Sequence, residues 1–416
     1  MNIIATSHRH TDPGRNRWGP LYLAGLSLLG LLLAGCGSIG HRGGSSQPVV
    51  MQQAAADLPE EALLDVWIEV FAPGPIPQDA DDNYGITQET RKAESRFIPA
   101  HLKKTLQQTG YWGAVRVVPE ETVGAELLVR GRILESDGEI LSLHIEATDS
   151  TGRQWLDEEY EGFAETADYS RISRENYDAF QGLYNEIAND LARMKQKLVS
   201  ASLRQIRELA EIQFAADLAP DPFDGYLQKQ DGRFKLQRLP ARNDPMLQRI
   251  RAIRERDYLL IDTVNDHYDA FYRDIWDPYS NWRRFRAEEA ANLRKVEREA
   301  LTRKVLGIGA IVGAVALSMA GGRDTAIRTD SLRQVMVLGG LMVAKSGFDK
   351  DSEKQIHIDA LEELGASFES EASPMVVEVE GETHRLTGSV DAQYAKWRDL
   401  LRRIHASETG LVENPG

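Results

Sequence analysis

The chain of 416 residues contains one thiol, at Cys36, and no familiar arrangement of catalytic residues. A single cysteine excludes an intramolecular disulfide and any Cys-rich zinc or iron–sulfur site. The sequence has no Gly-x-Ser-x-Gly motif, no His-Glu-x-x-His motif and no glycine-rich phosphate loop. Its nine histidines are scattered, and no two stand at ligand spacing on one predicted helix. We therefore expect no catalytic residues, no metal site and no cofactor.

The densest acidic group lies in the middle of the chain. Its members are Asp262, Asp266, His267, Asp269, Asp274 and Asp277. Asp262, Asp266 and Asp269 can share one face of a helix, which is compatible with a weak divalent-cation site. The same spacing is typical of a solvated face opposite an apolar stripe. We favour the solvated face.

The net charge argues against a nucleic-acid partner. The chain carries 49 Lys and Arg against 64 Asp and Glu, a formal charge of -15, so it has no bulk positive field. Arg283, Arg284 and Arg286 lie among aromatic residues, a pattern also found in single-strand binders. In so acidic a chain we expect them to pair with Glu288, Glu289 or an acidic partner.

The first 35 residues have the composition of a signal peptide. Basic residues precede an uncharged, leucine-rich run at 21–35, which is shorter than the roughly 20 apolar residues that span a bilayer. The run ends in Leu33-Ala34-Gly35-Cys36, which resembles the lipobox of bacterial lipoproteins at every position. The alternative is a signal anchor that contains an incidental cysteine.

The lipobox resemblance implies cleavage between Gly35 and Cys36 and acylation of Cys36, with palmitate among the acyl chains. Such acylation exceeds the two signals that stable anchoring requires. Gly37 follows the cysteine where an Asp commonly retains family members at the inner membrane. The resemblance therefore implies an outer-membrane lipid anchor that faces the periplasm.

The processed chain would differ from the full chain in length and charge. It would have 381 residues (416 minus 35), and its charge would be -17 (-15 minus 2), because residues 1–35 hold three Arg and one Asp. Residues 36–58 are rich in Gly, Ser and Gln and lack periodicity. We interpret them as a flexible tether.

Residues 59–199 alternate strand and helix patterns and predict an α+β fold, here a small α/β layer domain with helices on one face of a sheet. Asp137-Gly138 and Thr151-Gly152 predict tight hairpin turns, and Gly110 is a plausible helix C-cap. The predicted strands are 63–71, 112–118, 127–134, 139–148 and 153–160, with helices at 89–109 and about 180–198.

The phrase AELLVRGRILESDGEILSLHIEATDSTGRQWLDEEYEG within this domain is similar to the amino-terminal domain of the TolB family. It also resembles the periplasmic lipoprotein domains that activate peptidoglycan synthases. The resemblance is one of pattern over about 100 residues. It implies a binding module without catalytic residues, whose partner is an envelope protein or is associated with peptidoglycan.

Residues 200–304 predict a long helical region. A helix is predicted at 203–216, an irregular stretch at 220–243, and an apolar stripe resumes at 245. Its stripe consists of Ile261, Val264, Tyr268, Phe271 and Ile275. Asp277-Pro278 is predicted to break or kink this helix. A second, highly charged helix is then predicted at 282–304.

Residues 305–348 form a Gly-rich apolar segment that predicts a helical hairpin. Its small residues resemble the glycine-zipper elements of some bacterial envelope proteins, and small residues allow helix backbones to approach closely. Candidate positions for helix packing or oligomerisation are Gly307, Gly309, Gly313, Gly321, Gly339 and Gly340. Three interpretations stay open: a membrane-inserted hairpin, a tightly packed hairpin within the protein or between copies, and a single transmembrane segment.

Residues 349–407 predict a small α+β piece, followed by a tail at 408–416. A helix at 353–370, strands at 375–379 and 384–387, and a helix at 391–407 form the predicted order. This order and the phrase VEVEGETHRLTGSV resemble the BON module of envelope lipoproteins. The module's third strand has no counterpart here.

These features predict a non-enzymatic outer-membrane lipoprotein that acts as a periplasmic scaffold or partner-binding module. We expect it to contact the membrane through Cys36 and through 305–344. Its other expected partners are an unidentified envelope protein and further copies of itself. Nucleic acid is not expected. The alternative is an oligomeric membrane-inserting or pore-forming protein that uses the Gly-rich hairpin 305–344.

Overall fold

The structure is a computed structural model that describes residues 49–76, 86–170, 177–241, 243–320, 358–360, 363, 374–379 and 382–409. It is an α+β protein, as the sequence predicts. The first elements are β1 (Val66–Glu69), α1 (Gln88–Gln108), β2 (Val115–Val118), β3 (Leu127–Ser136), β4 (Ile140–Asp149), β5 (Gln154–Phe163), α2 (Thr166–Tyr169) and α3 (Gln181–Gln196). The later ones are α4 (Ser200–Leu218), α5 (Pro220–Phe223), β6 (Leu227–Gln230), β7 (Arg233–Leu236), α6 (Pro245–Ala320), β8 (Met375–Val379), β9 (Glu382–Leu386) and α7 (Val390–Thr409).

A five-stranded sheet with the order β2-β1-β3-β4-β5 organises the amino-terminal part. β1 pairs in parallel with β2 and β3, whereas β3, β4 and β5 form an antiparallel meander. The predicted turns of this meander are confirmed, because Gly138 and Gly152 have φ values of 95° and 77°. Glycine adopts this left-handed backbone without the steric penalty of a Cβ.

Helix α1 is defined by its capping residues and by an internal proline. Thr87 caps its first turn by accepting the Thr90 N–H at 3.1 Å, and Gly110 follows its end with a φ of 70°, as predicted. Pro99 lacks an N–H and so frees the carbonyl of Ser95 within the helix. The N–H of Phe71, just after β1, donates to that carbonyl at 2.9 Å. The proline thereby links the helix to the sheet.

Helices α1 and α3 cover one side of the sheet, which we call the inner face. Val66, Ile68 and Val129 are fully buried there because strand residues alternate between the two faces. Gly162 of β5 allows α3 to approach, since a Cβ at this position would meet the Leu183 side chain at 3.1 Å. The opposite side of the sheet is the outer face.

The core of this sheet continues into α6. Phe97 of α1 stacks on Tyr272 of α6 with ring centroids 4.9 Å apart and lies 4.6 Å from the Tyr279 ring. The stripe predicted for α6 is buried in full, and its residues belong to the same apolar cluster as the sheet. No gap in packing therefore separates the regions 59–199 and 200–304.

The prediction of two helices separated at Asp277-Pro278 is wrong, because α6 runs unbroken from Pro245 to Ala320 with Pro278 inside it. Pro278 removes one helical hydrogen bond. Ile275 and Tyr279 on either side are almost fully buried, and this packing outweighs the local preference. The helix also continues through 305–320.

The prediction of an irregular stretch at 220–243 is wrong as well. It contains the short helix α5 and a hairpin in which β6 pairs with β7. Asp231 and Gly232 form its two-residue turn, with φ values of 49° and 74°. This Asp-Gly pair is a strong hairpin signal.

The carboxyl-terminal elements agree with the prediction where the structure describes them. β8 and β9 form an antiparallel pair, and α7 follows with its apolar stripe buried. Trp397 of α7 donates its indole N–H to the buried Asp257 of α6 at 3.1 Å. Arg398 pairs with Asp217 of α4. Most of the helix predicted at 353–370 lies outside the described residues.

The first described residues are bonded to the body of the protein. Asn185 of α3 donates to the Val49 carbonyl at 2.7 Å, and Asn189 donates to the Val50 carbonyl at 2.9 Å. Asn189 also accepts the Gln52 N–H at 2.7 Å. Residues 49–52 of the expected tether 36–58 are thus fixed on α3.

Candidate functional site

The outer face of the sheet carries two rows of polar side chains. Strand register aligns Arg130 with Glu146 and Asp157 in one row, and Arg132 with His144 and Glu159 in the next. Strand residues alternate between the two faces, and the buried Val129, Ile145 and Leu156 beside these residues lie on the inner face. The candidate site is built on these rows and on the strand that ends them, β5.

A cluster around His144 joins the two rows. Its Nε2 lies 2.8 Å from Asp157 Oδ1, and its Nδ1 lies 3.7 Å from Glu146 Oε1. The ligand atoms of the three residues lie within 4.8 Å of one another, close enough to hold a metal ion. Imidazole and carboxylates are ligands for zinc. The two contacts use opposite nitrogens of the ring, however, so the histidine already bridges both carboxylates in the structure.

An open recess of about 300 Å³ lies beside this cluster. Arg130 forms one wall and is held by Glu69 through contacts of 2.7 and 3.2 Å. Arg132 forms another wall, and its side chain makes no hydrogen bond or ion pair with the described residues. Glu120, His144 and Glu146 complete the polar lining. The recess therefore presents both signs of charge.

The edge of the sheet at β2 is closed by α6. Asn265 of α6 accepts the N–H of Val117 at 3.1 Å, which satisfies an edge donor. The same amide oxygen accepts from the buried Lys103 at 2.8 Å. Arg116 of β2 reaches Asp262 of α6 at 2.5 Å. These contacts leave this edge no room for another strand.

The other edge, at β5, is open in the part of the chain that the structure describes. Among the described strands, β5 pairs only with β4, and its ten residues have no strand partner on the far side. Four of its residues, Asp157, Glu158, Glu159 and Glu161, are exposed acids. Burial, with Glu186 and Glu158 close by, raises the pKa of the neighbouring Tyr160 to about 12. We call this strand with its acids the β5 edge.

A buried ion pair lies behind the inner face. Arg283 of α6 donates to Asp178 through contacts of 2.6 and 3.1 Å, and both side chains are at most 1% exposed. Although burial opposes ionisation, Arg283 holds the pKa of Asp178 below its usual value. The guanidinium also lies 4.4 Å from the Tyr279 ring centroid. This pair fixes α6 to the segment that precedes α3.

His101 of α1 is buried beside the ion pair, and this burial favours the neutral form of its ring. The Gln181 amide nitrogen donates to Thr105 and Asn185, so its oxygen faces His101 Nε2 at 2.9 Å. The ring therefore donates from Nε2 and accepts from the Tyr272 hydroxyl at Nδ1, 2.8 Å away. Burial lowers the pKa of His101. The surroundings thus favour a structural role for this histidine.

The acidic group predicted on 262–277 is not assembled into a cation site. Asp262 pairs with Arg116, and Asp269 pairs with Lys103 at 2.6 Å. The solvated-face interpretation is wrong for Asp269, whose side chain is only 23% exposed between α6 and α1, whereas the Asp262 side chain is 51% exposed even though it pairs with Arg116. Asp266 and Asp274 are exposed, as expected.

The predicted pairing of Arg283 with Glu288, Glu289 or an acidic partner is wrong, since its partner is the buried Asp178. The two residues are 105 positions apart in sequence, and helix periodicity carries no information at that separation. Arg286 does contact Glu289, at 3.9 Å. Glu158 and Glu159 are exposed. The four acids within residues 157–161 are the sequence signal that could have indicated this surface.

The lipidation and cleavage residues, Cys36 and Gly35, lie outside the described residues. So do Gly321, Gly339 and Gly340 of the Gly-rich segment. The backbone at Gly307, Gly309 and Gly313 is helical within α6. Their part in packing or oligomerisation stays a prediction.

Comparison with known proteins identifies no relative. No protein-family model matches the chain, and searches of curated proteins and of solved structures return no significant match. Within the described parts of the chain, no helix combines the length and the apolar character needed to cross a membrane.

Proposed function

We propose that the protein is a lipid-anchored, non-enzymatic binding module of the bacterial cell envelope, attached to the outer membrane and facing the periplasm. The observation that carries the proposal is the sequence Leu33-Ala34-Gly35-Cys36 at the end of the apolar run 21–35. Acylation at Cys36 would provide more than one membrane signal at a single site. The unidentified partner is a protein of the envelope or one bound to peptidoglycan.

The contacts at the start of the described chain support this arrangement. Val49 is the first described residue and is held by α3, so at most residues 36–48 separate this contact from the proposed anchor. Thirteen residues span at most about 45 Å when fully extended. A module fixed at Val49 would therefore stay near the membrane that holds Cys36, within reach of partners at that surface.

Metabolic labelling tests the anchor directly. The natural chain and a Cys36→Ser variant are expressed in a bacterial host with radiolabelled palmitate. We expect label in the natural chain only, and accumulation of an unprocessed form when globomycin blocks the lipoprotein signal peptidase. Label in the Cys36→Ser variant, or none in the natural chain, would overturn the proposal.

A second variant tests the choice of membrane. Gly37→Asp keeps the lipidation site and places an acid where the lipoprotein family commonly has its inner-membrane retention signal. We expect this variant to incorporate palmitate normally and to move from the outer- to the inner-membrane fraction on a sucrose gradient. If the natural chain is already in the inner-membrane fraction, the outer-membrane assignment is wrong.

A further inference from the structure

The two edges of the sheet differ in whether another element covers them. At β2, side chains of α6 occupy the edge, and Asn265 satisfies the Val117 N–H. At β5, ten residues of extended backbone face away from β4 without a described partner. About half of the N–H and C=O groups of such a strand point outward and form a template for one more strand. This contrast makes β5 the edge that can accept another strand.

The charges at the β5 edge limit which strand can be added. Asp157, Glu159 and Glu161 alternate along the outer face, and Glu158 is exposed between them. Glu146 stands opposite Asp157 in the neighbouring strand, and His144 contacts both carboxylates. The cations of the outer face, Arg130 and Arg132, lie on β3, two strands away, which is about 10 Å.

We propose that the β5 edge binds a Lys- and Arg-rich extended segment of a partner protein, which adds to the sheet as a sixth strand. Main-chain hydrogen bonds supply the attachment, as in other cases of strand addition. Cationic side chains at alternate positions meet Asp157, Glu159 and Glu161, since opposite charges across neighbouring strands are stabilising. The proposal names the class of partner for the binding role proposed above and rests on that role, but it does not require the lipid anchor.

The same acids select against other occupants. Charged side chains on an edge strand are a common protection against unwanted pairing. A second copy of this chain would place β5 against β5 and oppose acids with acids. A neutral or acidic segment gains no compensating contact. A cationic segment is therefore the strand that this edge accepts.

The test uses the full chain in an uncharged detergent and a labelled synthetic nine-residue peptide that alternates Lys and Thr. Binding is measured by fluorescence anisotropy at low salt and at physiological salt. We expect saturable binding that weakens as salt rises, because the contacts are between exposed charges. Absence of binding to the natural chain at low salt would overturn the proposal.

A second peptide separates strand addition from simple charge attraction. It has the same sequence and charge, but alternate backbone amides are N-methylated and cannot donate to an edge. We expect its dissociation constant to be at least tenfold larger than that of the first peptide. Equal binding of the two peptides would refute strand addition.

Matched charge reversals locate the surface. Glu159→Lys with Glu161→Lys changes the β5 edge, and Asp266→Lys with Asp274→Lys makes the same change in charge on exposed residues of α6. We expect the first pair to weaken binding at least tenfold and the second to change it less than threefold. Equal effects of the two pairs would refute the location.

Two controls keep this test independent of folding and of the anchor. Circular dichroism identifies any double variant that fails to fold, and the single change Glu161→Lys then replaces it, with an expected loss of at least threefold. Hydrogen exchange of the natural chain should show slower exchange of β5 amides with the first peptide only. A failed peptide test leaves palmitate labelling at Cys36 unaffected, so the two proposals can fail separately.

Discussion

Removal of the carboxylate of Asp178 tests how α6 is held to the rest of the protein. Asp178→Ala leaves the Arg283 guanidinium, 1% exposed, without its carboxylate partner in the core. The Tyr279 and Phe97 rings, 4.4 and 5.4 Å away, remain but supply only weak compensation. Breaking one side of a buried ion pair costs about 3–5 kcal/mol. This is a large fraction of the roughly 5–15 kcal/mol that stabilises a typical domain.

The assay is urea unfolding followed by circular dichroism and by tryptophan fluorescence, so that coincidence of the two transitions checks two-state behaviour. The control is Glu211→Ala, which removes the exposed pair between Arg251 and Glu211 and should cost at most about 1 kcal/mol. The decrease in the free energy of unfolding caused by Asp178→Ala should become smaller at low pH, because the ion pair stabilises the fold fully only above the normal Asp pKa. This contribution disappears as pH falls through the lowered folded pKa.

A double variant makes the prediction stricter. Asp178→Ala with Arg283→Met removes the buried charge that the single change leaves unpaired. We therefore expect the double variant to be more stable than Asp178→Ala alone. The reasoning from the buried pair is wrong if Asp178→Ala costs no more than Glu211→Ala. It is also wrong if the stability loss of the double variant equals the sum of the losses of Asp178→Ala and Arg283→Met measured singly.

Four further predictions follow from other features. The free energy of unfolding should fall as pH drops below about 6.5, because the unfolded chain protonates His101 while the folded chain resists it; a His101→Gln variant should lack this part of the pH profile. Burial raises the pKa of Asp257 to about 6, so the contribution of this carboxyl to the free energy of unfolding should grow as pH falls from about 6 to 4. Asp257→Asn should remove that contribution, and an unchanged pH profile would refute the assignment. Gly131→Ala places a Cβ 2.5 Å from the buried Phe71 ring and should lower stability by about 1–3 kcal/mol, whereas Gly182→Ala on α3 places a Cβ 3.9 Å from the Val49 nitrogen, an ordinary contact, and should be neutral or stabilising by up to about 1 kcal/mol. The unlipidated chain should leave the membrane fraction at high salt, and membrane retention that disappears on deleting 305–344 would favour the pore-forming alternative.

Local signals predicted much of the sheet. Turn pairs such as Asp137-Gly138 and the cap at Gly110 act within a few residues, and alternation within each strand identifies its buried face. These features are visible in a window of ten residues. The predicted strands and helices of 59–199 therefore agree with the structure to within a few residues.

Features that depend on distant packing were not predictable in this way. The sequence around Pro278 has the local character of a break, and only burial against α1 explains why α6 continues. The pairing of Asp178 with Arg283, and the use of Asp262 to hold β2, each join segments more than 100 residues apart. The open edge at β5 also depends on the strand order of the whole sheet. Charge pattern alone could indicate the acids but not the free backbone beside them.

The packing of α6 against α1 sets the order in which the protein can acquire its structure. Glu94 accepts a hydrogen bond from the Tyr279 hydroxyl at 2.9 Å, across 185 positions of sequence. At synthesis rates of roughly 5–20 residues per second, that interval corresponds to about 10 to 40 s. During this time the aromatic face of α1 has been made but its covering helix has not. The nascent chain must therefore keep a half-built core away from other chains, and folding is complete only when the helix at the far side of the core arrives.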